Sequence, residues 1–406
     1  MVKTVDGITV FGDADERTMS QAKNCLNTGN VASVVLCADN HLGYSQPIGG
    51  VVAYRGQVSP SGVGYDIACG NKAVRTDLNV EDIKKDLPKI MDTIQSTISF
   101  GGGRINESPI DHPVLHSDSW DVYKEIDLET YNTMHSLAMV QLGTVGSGNH
   151  YVDLFAGPEN ELWVGVHFGS RGFGFKTASG FLNLANGRQW GDKAPGEKMD
   201  QPPTLIDVHT QLGESYLRAM ELAGQYAYAG RDLVVSQVLK ILGAKSLFEV
   251  HNHHNFAWLE EHNGEKLYVV RKGATPSAPG QLGFVGGSMC DIAVIVEGLD
   301  TQENKEGLYS TVHGAGRIMS RTEAAGKMNY KTKKRMGGQI SPLQMKEAVE
   351  NYGVELRGAG TDESPFVYRK LFDVLGAHGE SIKIKTILRP IGVCMAGENE
   401  FDPYKD

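Results

Sequence analysis

Apolar residues recur along this chain in two rhythms, one near 3.6 and one near 2, and glycines mark most of the changes between them. Asp13 to Leu26 opens with an acidic turn and reads as an early helix. Val31 to Tyr54 alternates apolar runs with glycines and predicts strands. Helix is expected over Val80 to Ser96, starting near Glu81-Asp82, and again over Asp121 to Leu142. The clearest helical period lies in Asp207 to Leu242, where Leu217, Met220, Ala223 and Ala227 share a face. Trp163 to His167, Leu267 to Val270, Ile292 to Glu297 and Ile382 to Val393 read as strands. Gly101 to Trp120 predicts a loop, and Gly172 to Pro203, rich in Gly, Asn and Asp, predicts an exposed insertion. Neither a repeat nor a linker breaks this order, so one domain over 1–406 is expected.

Composition narrows the class. With 406 residues, 40% of them hydrophobic, the chain can bury a large core. Its 49 glycines have no strict period, which excludes collagen and low-complexity readings, and they cluster at turns as in a loop-rich mixed α/β enzyme. Five cysteines, Cys25, Cys37, Cys69, Cys290 and Cys394, form no Cys-x-x-Cys pair and are odd in number. A reduced, cytoplasmic protein is therefore expected. Met1-Val2-Lys3-Thr4-Val5-Asp6 lacks a signal-type apolar core, and no apolar run reaches membrane-spanning length, so no membrane partner is expected. A net charge of −10 argues against a broadly sticky nucleic-acid binder but leaves room for a local basic groove. The run Gly326 to Arg335, with five cations and no acid, is the candidate for that groove.

The candidate chemistry begins at Gly64-Tyr65-Asp66-Ile67-Ala68-Cys69-Gly70. A carboxylate and a thiol this close on a glycine-bent backbone can hold one metal ion or bridge two. Cys, Asp and His together suit Zn²⁺, Mn²⁺ or Fe²⁺ rather than Mg²⁺. Alone, Asp-x-x-Cys is more often a small buried Cys beside a turn. Three further segments end strands or turns in histidine: Gly148-Asn149-His150, Val166-His167-Phe168-Gly169-Ser170-Arg171, and His251-Asn252-His253-His254. A fifth, His313-Gly314-Ala315-Gly316-Arg317 running to Arg321, has the character of a phosphate site. Its glycines admit backbone N–H groups to an anion, and Arg317 and Arg321 would share a face if a helix began there. Neutral imidazole is a competent nucleophile near pH 7. No Gly-x4-Gly-Lys-Ser/Thr loop occurs in the chain.

Taken in order, these runs resemble the RtcB family of RNA-splicing ligases. Asp39-Asn40-His41-Leu42-Gly43-Tyr44, Ile48-Gly49-Gly50-Val51, Gln141-Leu142-Gly143-Thr144, Arg271-Lys272-Gly273-Ala274-Thr275 and Gly287-Ser288-Met289 carry the likeness together with the segments above, colinear over nearly the whole chain. The resemblance implies a single α+β domain, with packed β-sheets and surrounding helices around a di-metal site. It implies joining of RNA 3′-phosphate or 2′,3′-cyclic phosphate ends to 5′-hydroxyl ends, in RNA repair or tRNA splicing, with GTP and two Mn²⁺ ions. By position, Asp66, Cys69, His150, His167 and His254 would be metal ligands, Cys69 bridging the pair. His313 would be the histidine that is guanylylated. Asn149, Asp153, Ser288, Gly314, Ala315, Gly316 and Tyr368 would form the nucleotide site with it. Arg171, Arg317 and Arg321 would hold RNA or nucleotide phosphates. An archease-like activator is the further partner that such a ligase would take.

The chain departs from the family pattern on one side. The family typically ends in a Val-x-Lys-Gly-like run whose lysine contacts guanine; here it reads Val393-Cys394-Met395-Ala396-Gly397. Gly-Thr-Ala-Ser after Gly287-Ser288-Met289 is replaced by Cys290-Asp291-Ile292-Ala293, and a glutamate expected after Asn-His is Asp153. Two alternatives therefore stand beside the ligase: a metal-dependent phosphoesterase with altered nucleotide use, and a non-catalytic RNA-end-binding protein.

Overall fold

Two sheets of different make-up meet along one line, and that line positions the candidate site. The computed structural model describes residues 2–193, 198–329 and 334–398. Its elements are both helices and several sheets, an α+β fold. The first sheet has six strands in the order Val2–Val5, Ile8–Phe11, Val31–His41, Ile48–Tyr54, Glu265–Lys272, Asn255–His262. The second runs Ser246–His253, Gly70–Asn79, Glu161–Phe168, Tyr151–Ala156, Ile382–Gly397, Ala293–Gly298, Leu282–Val285, with Glu355–Ala359 lying parallel beside Ile382–Gly397. The chain leaves the edge of the second sheet at His253 and enters the edge of the first at Asn255, so His254 is the one-residue switch between them.

The helix Gln211–Leu242 spans 32 residues and is the long buried spine of the fold. Thr210 caps its first turn by accepting from the Gly213 N–H, and Gly243 ends it in the left-handed conformation that a Cβ disfavours. Tyr216, Met220, Ala223 and Ala227 from this helix join Phe173, Phe181 and Val270 in one core, while Val234, Val235 and Val238 meet Val164, Val166 and Phe168 in another.

Several expectations are corrected. The expected insertion over Gly172 to Pro203 divides in two: Arg171–Ala185 is a helix with Phe173, Ala178, Phe181 and Leu182 buried, because its glycines sit between large apolar residues at helical spacing, while the described residues from Asn186 to Asp200 are largely exposed and not helical. The helix expected over Val80 to Ser96 is two, Val80–Ile83 and Leu87–Thr97, since Pro88 is tolerated only in a first turn. Asp121 to Leu142 likewise divides into Asp121–Lys124 and Leu128–Gln141, where Asp127 restarts the helix by accepting from the Thr130 N–H at 2.6 Å. Of the basic run, residues 330–333 lie outside the described residues; Arg335 donates to the Gly326 carbonyl at 3.2 Å and closes a small hairpin.

Candidate active site

Four neighbouring strands of the second sheet deliver the predicted metal ligands to one end of that sheet. Cys69 precedes Gly70–Asn79, His167 closes Glu161–Phe168, His150 precedes Tyr151–Ala156, and His254 follows Ser246–His253. Because these strands are antiparallel, starts and finishes alternate and fall together. The ladder continues past the strands, with the His254 N–H donating to the Cys69 carbonyl at 2.8 Å and Ala68 N–H to Asn255 at 2.7 Å. Ala68 takes a φ of 59°, a left-handed conformation unusual for a residue with a Cβ, and it turns the Cys69 thiol inward.

Cys69, His167 and His254 form one potential ligand group, and Asp66, Cys69 and His150 a second; within each, the ligand atoms lie within 4.8 Å of one another. The Cys69 Sγ is 3.3 Å from His167 Nε2 and 3.7 Å from His150 Nε2, and His150 Nε2 is 3.1 Å from Asp66 Oδ2. His167 donates from Nδ1 to the Asn149 carbonyl at 2.9 Å, which leaves its Nε2 lone pair facing the thiol and, at 3.4 Å, His254 Nε2. Burial, with the neighbouring charge of His150, pushes His167 down to about 3. Burial, and then His313, hold His254 well below its ordinary value. Both rings are therefore neutral, the form that binds metal. The Cys69 thiol is pushed well up by burial and then by the Asp66 charge, so a cation there would have to draw its proton off. The buried Nδ1 of both His150 and His254 lacks a partner among the described residues. A thiol common to both groups, a carboxylate on one side and imidazoles on both would suit two divalent ions.

His313 stands beside this cluster, its ring centroid 4.9 Å from that of His254. It follows the short strand Ser310–Val312, which pairs with Ala274–Pro276. Asp39, fully buried at the end of Val31–His41, accepts from His313 Nδ1 at 2.6 Å, from the His313 N–H at 3.0 Å and from the Gly314 N–H at 3.3 Å. Burial opposes its ionisation, but the charge and hydrogen bonds of His313 hold the Asp39 carboxyl below its ordinary value. The contact fixes the tautomer with Nδ1–H on Asp39 and leaves the ring's lone pair on Nε2. Gly316 has φ +73°, and a Cβ there would lie 2.5 Å from the Asp39 carbonyl, so only glycine lets the loop close on this strand.

The two arginines do not share a helix face. Arg317 precedes the helix Arg321–Ala325 and bridges to Tyr368 in extended conformation. They converge nonetheless, because both reach the buried acids Asp362 and Glu363. Arg317 donates to the Tyr368 hydroxyl at 3.1 Å and the Asp362 carbonyl at 2.8 Å, and Arg321 to Asp362 Oδ2 at 3.1 Å and to Glu363. Arg171, itself at φ 60°, donates to Thr144 Oγ1 at 3.2 Å and to the Gly101 carbonyl at 3.3 Å. All the sequence-predicted site residues, from Asp66 to Tyr368, line one cavity of about 1330 Å³.

The model of the family described as tRNA-splicing ligase RtcB matches residues 21–396. This chain belongs to the RtcB family. Among its relatives, the RNA-splicing ligase RtcB of Escherichia coli (strain K12) is 28% identical, with 96% of each chain covered. The tRNA-splicing ligase RtcB of Pyrobaculum aerophilum is 30% identical over 96% of this chain and 93% of its own. That of Archaeoglobus fulgidus is 29% identical over 89% and 87%.

Of the departures from the RtcB pattern, Asp153 lines the cavity, whereas Cys290, Asp291, Ala293 and Ala396 do not. Asp153 sits opposite Val393 across paired strands, and Val393, Met395, Met289 and Ser288 line the wall beside it. Burial holds the Asp153 carboxyl well above its ordinary range, and its Oδ1 has no partner among the described residues. Side chains alternate along Ile382–Gly397, so Ala396 turns away from the cavity and packs with Cys394 and Val152 in a core cluster. Asp291, where the pattern differs again, accepts from the Ile292 and Leu371 N–H groups at 2.9 Å and serves the backbone rather than the cavity. Asp39 is the partner of His313 that sequence reasoning left without a role. Its signal was an acid placed directly after the apolar run Val34-Val35-Leu36-Cys37-Ala38 in one strand, a position that burial makes costly unless a partner waits there.

Proposed function

We propose that the chain is an RNA ligase that joins a 3′-phosphate or 2′,3′-cyclic phosphate end to a 5′-hydroxyl end, with GTP as the activating nucleotide and Mn²⁺ as the metal. The observation that carries this reading is a histidine locked by a buried acid next to a thiol-centred double ligand set. His313 Nε2 attacks the α-phosphorus of GTP, the bond to the β-phosphate oxygen breaks, pyrophosphate leaves, and the ring carries GMP as a phosphoramidate. Asp39 keeps the Nδ1 proton and stabilises the positive charge that grows on the ring. Asp66, Cys69, His150, His167 and His254 would hold two Mn²⁺ ions, which supply Lewis-acid stabilisation of phosphate charge. Arg171, Arg317 and Arg321 meet phosphate oxygens, the last two by exchanging Glu363 and Asp362 for the substrate. Asn149, Asp153, Ser288, Gly314, Ala315, Gly316 and Tyr368 surround the nucleotide. A cyclic end is first hydrolysed by water to a 3′-phosphate; a 3′-phosphate oxygen then takes GMP from His313, and the 5′-hydroxyl attacks the 3′-phosphorus and releases GMP.

The reading treats 1–406 as one functional domain. It places the chain in the cytoplasm, with RNA ends and an archease-like activator as partners. Among the described residues no helix is long and apolar enough to cross a membrane, and the five cysteines are free. The altered base end favours a second reading, a metal-dependent phosphoesterase with different nucleotide use. Incubation with labelled GTP or ATP and Mn²⁺ separates them. A covalent nucleotide on His313 supports the ligase; phosphoester hydrolysis without an adduct supports the phosphoesterase and overturns the ligase.

A further inference from the structure

Arg231 lies on the spine helix Gln211–Leu242, is wholly buried and touches none of the five metal-type ligands. Its guanidinium reaches the backbone or side chain next to three of them. Nη1 donates to the Ala68 carbonyl at 3.0 Å, one residue before Cys69, and to the Phe168 carbonyl at 2.6 Å, one residue after His167. Nη2 donates to His253 Nδ1 at 2.9 Å, one residue before His254. Nε donates to His251 Nε2 at 2.8 Å, two residues further back on the same strand, and the Tyr228 ring lies 5.2 Å from the guanidinium carbon.

Two features set this apart from ordinary core packing. A buried cation is costly unless it is paired, and among the described residues no carboxylate lies within ion-pair distance of Arg231. The four acceptors also come from three separate segments, Ala68, Phe168 and the strand Ser246–His253, and each segment carries one ligand of the Cys69, His167, His254 group. Only a planar fork can address three segments at once, since an ammonium is a single point of charge.

We propose that Arg231 is a positioning residue for the metal centre, a fixed fork that sets the Cys69, His167 and His254 ligand atoms at binding distance before any ion arrives. This rests on the metal-centre reading above. The spacing of these three atoms is then a property of the helix-to-sheet contact and not of the ligand loops themselves. The Asp66–Cys69–His150 group depends on the fork only through Cys69, so occupancy of the two groups should respond unequally to its loss.

The test is a titration of the full-length apoprotein with Co²⁺, read by the thiolate-to-cobalt absorption band, and with Mn²⁺, for Arg231→Met, Arg231→Lys and the unaltered chain. Circular dichroism of each apoprotein checks the fold. Arg231→Met should weaken the first ion by about ten- to a hundredfold, the range seen when a residue orienting metal ligands is removed. Arg231→Lys should recover part of that affinity but show a shifted band, because one ammonium cannot reproduce the fork. A folded Met or Lys variant with unaltered affinity and spectrum would overturn the assignment. Loss of the apoprotein fold in both variants would also overturn it, by giving Arg231 to the core and not to the metal centre. If the unaltered chain itself binds neither ion, the metal-centre reading fails, and that outcome is distinct from equal binding by all three proteins.

Discussion

The two ends of the cavity are built in opposite ways. At the metal end, ligands hang from four hydrogen-bonded strands, and their neighbours are polar, buried and mutually oriented. Around Asp153 the wall carries Val393 and Met395, and the carboxyl is held toward the neutral acid by burial. Backbone pairing fixes the first end, so little can change there without breaking the sheet. The second end depends on a few side chains projecting from a strand and can be retuned one residue at a time. On the proposed function, transfer chemistry and base selection would then be separable, and substitutions in the two regions should fail in different ways.

The sharpest test of that separation is Cys69→Ala. The thiol is common to both ligand groups, so its removal should reduce bound divalent metal from two ions to at most one. Each ion stabilises developing phosphate charge by several kcal/mol, so nucleotide transfer to His313 should fall by about 10⁴-fold or more. Cys25, Cys37 and Cys394 are buried outside the ligand groups, and their alanine variants should keep both ions. Metal content by mass spectrometry and adduct formation with labelled GTP check both statements; two ions and full activity without Cys69 would remove the bridge.

Asp39→Asn comes next. An amide can present a donor where His313 needs an acceptor, so the ring loses its fixed tautomer while the volume is unchanged. Nucleotide transfer should fall by about 10³-fold, within the range for loss of acid–base support, with metal content unaltered. The sign of the pH effect follows from the lowered Asp39 value. Its contribution to stability is present above the unfolded value of 3.8 and is lost as the pH falls through the folded one, so the variant should show a flatter acid loss of stability. Equal transfer rates in the two proteins would show that Asp39 serves the fold alone.

The same contrast explains what the sequence revealed. Asp66, Cys69, His150, His167 and His254 were legible because Cys and His beside glycine at strand ends are a small set of residue types in a repeated setting. Their convergence was not, because it depends on strand order: Gly70–Asn79 and Tyr151–Ala156 lie on either side of Glu161–Phe168, and neither was read as a strand. Lys72 broke the apolar pattern of the first, although the fold pairs it with Asp232 at 2.6 Å and Glu249 at 2.9 Å. Arg317 and Arg321 converge, but not on the helix face that their spacing suggested, since the acids that join them stand about forty residues later in the chain. Ile382 to Val393 was read as a strand, but its continuation to Gly397 was not, and that continuation decides which way residue 396 faces.

On that strand Ala396 faces a core cluster with Cys394 and Val152, whereas Met395 lines the cavity. Ala396→Lys should therefore bury an unpaired ammonium and destabilise the protein by about 3 kcal/mol without sharpening base choice. Met395→Lys, facing the cavity, should cost much less and raise the preference for GTP over ATP. Denaturant midpoints and competition between the two nucleotides read these outcomes. A stable Ala396→Lys protein with stronger GTP preference would mean that the end of the strand is turned the other way.

The smallest effect is expected at Asp153. Guanine offers two N–H donors on one edge and adenine does not, so an ionised Asp153 would favour guanine through charge-assisted bonds. Burial holds the carboxyl well above its ordinary value, so that gain requires proton loss, and the preference for GTP should rise with pH. Asparagine keeps an acceptor of the same size but never ionises. The difference between a charged and a neutral hydrogen bond is about 1 kcal/mol, so Asp153→Asn should lower GTP preference by roughly five- to tenfold and abolish its pH slope. The variant should also melt higher at neutral pH, because the stability of a group with a raised folded value is lost as pH rises and an amide does not pay that cost. An unchanged preference and an unchanged slope would place base reading elsewhere on the cavity wall and leave the two ends less separable than the strands make them.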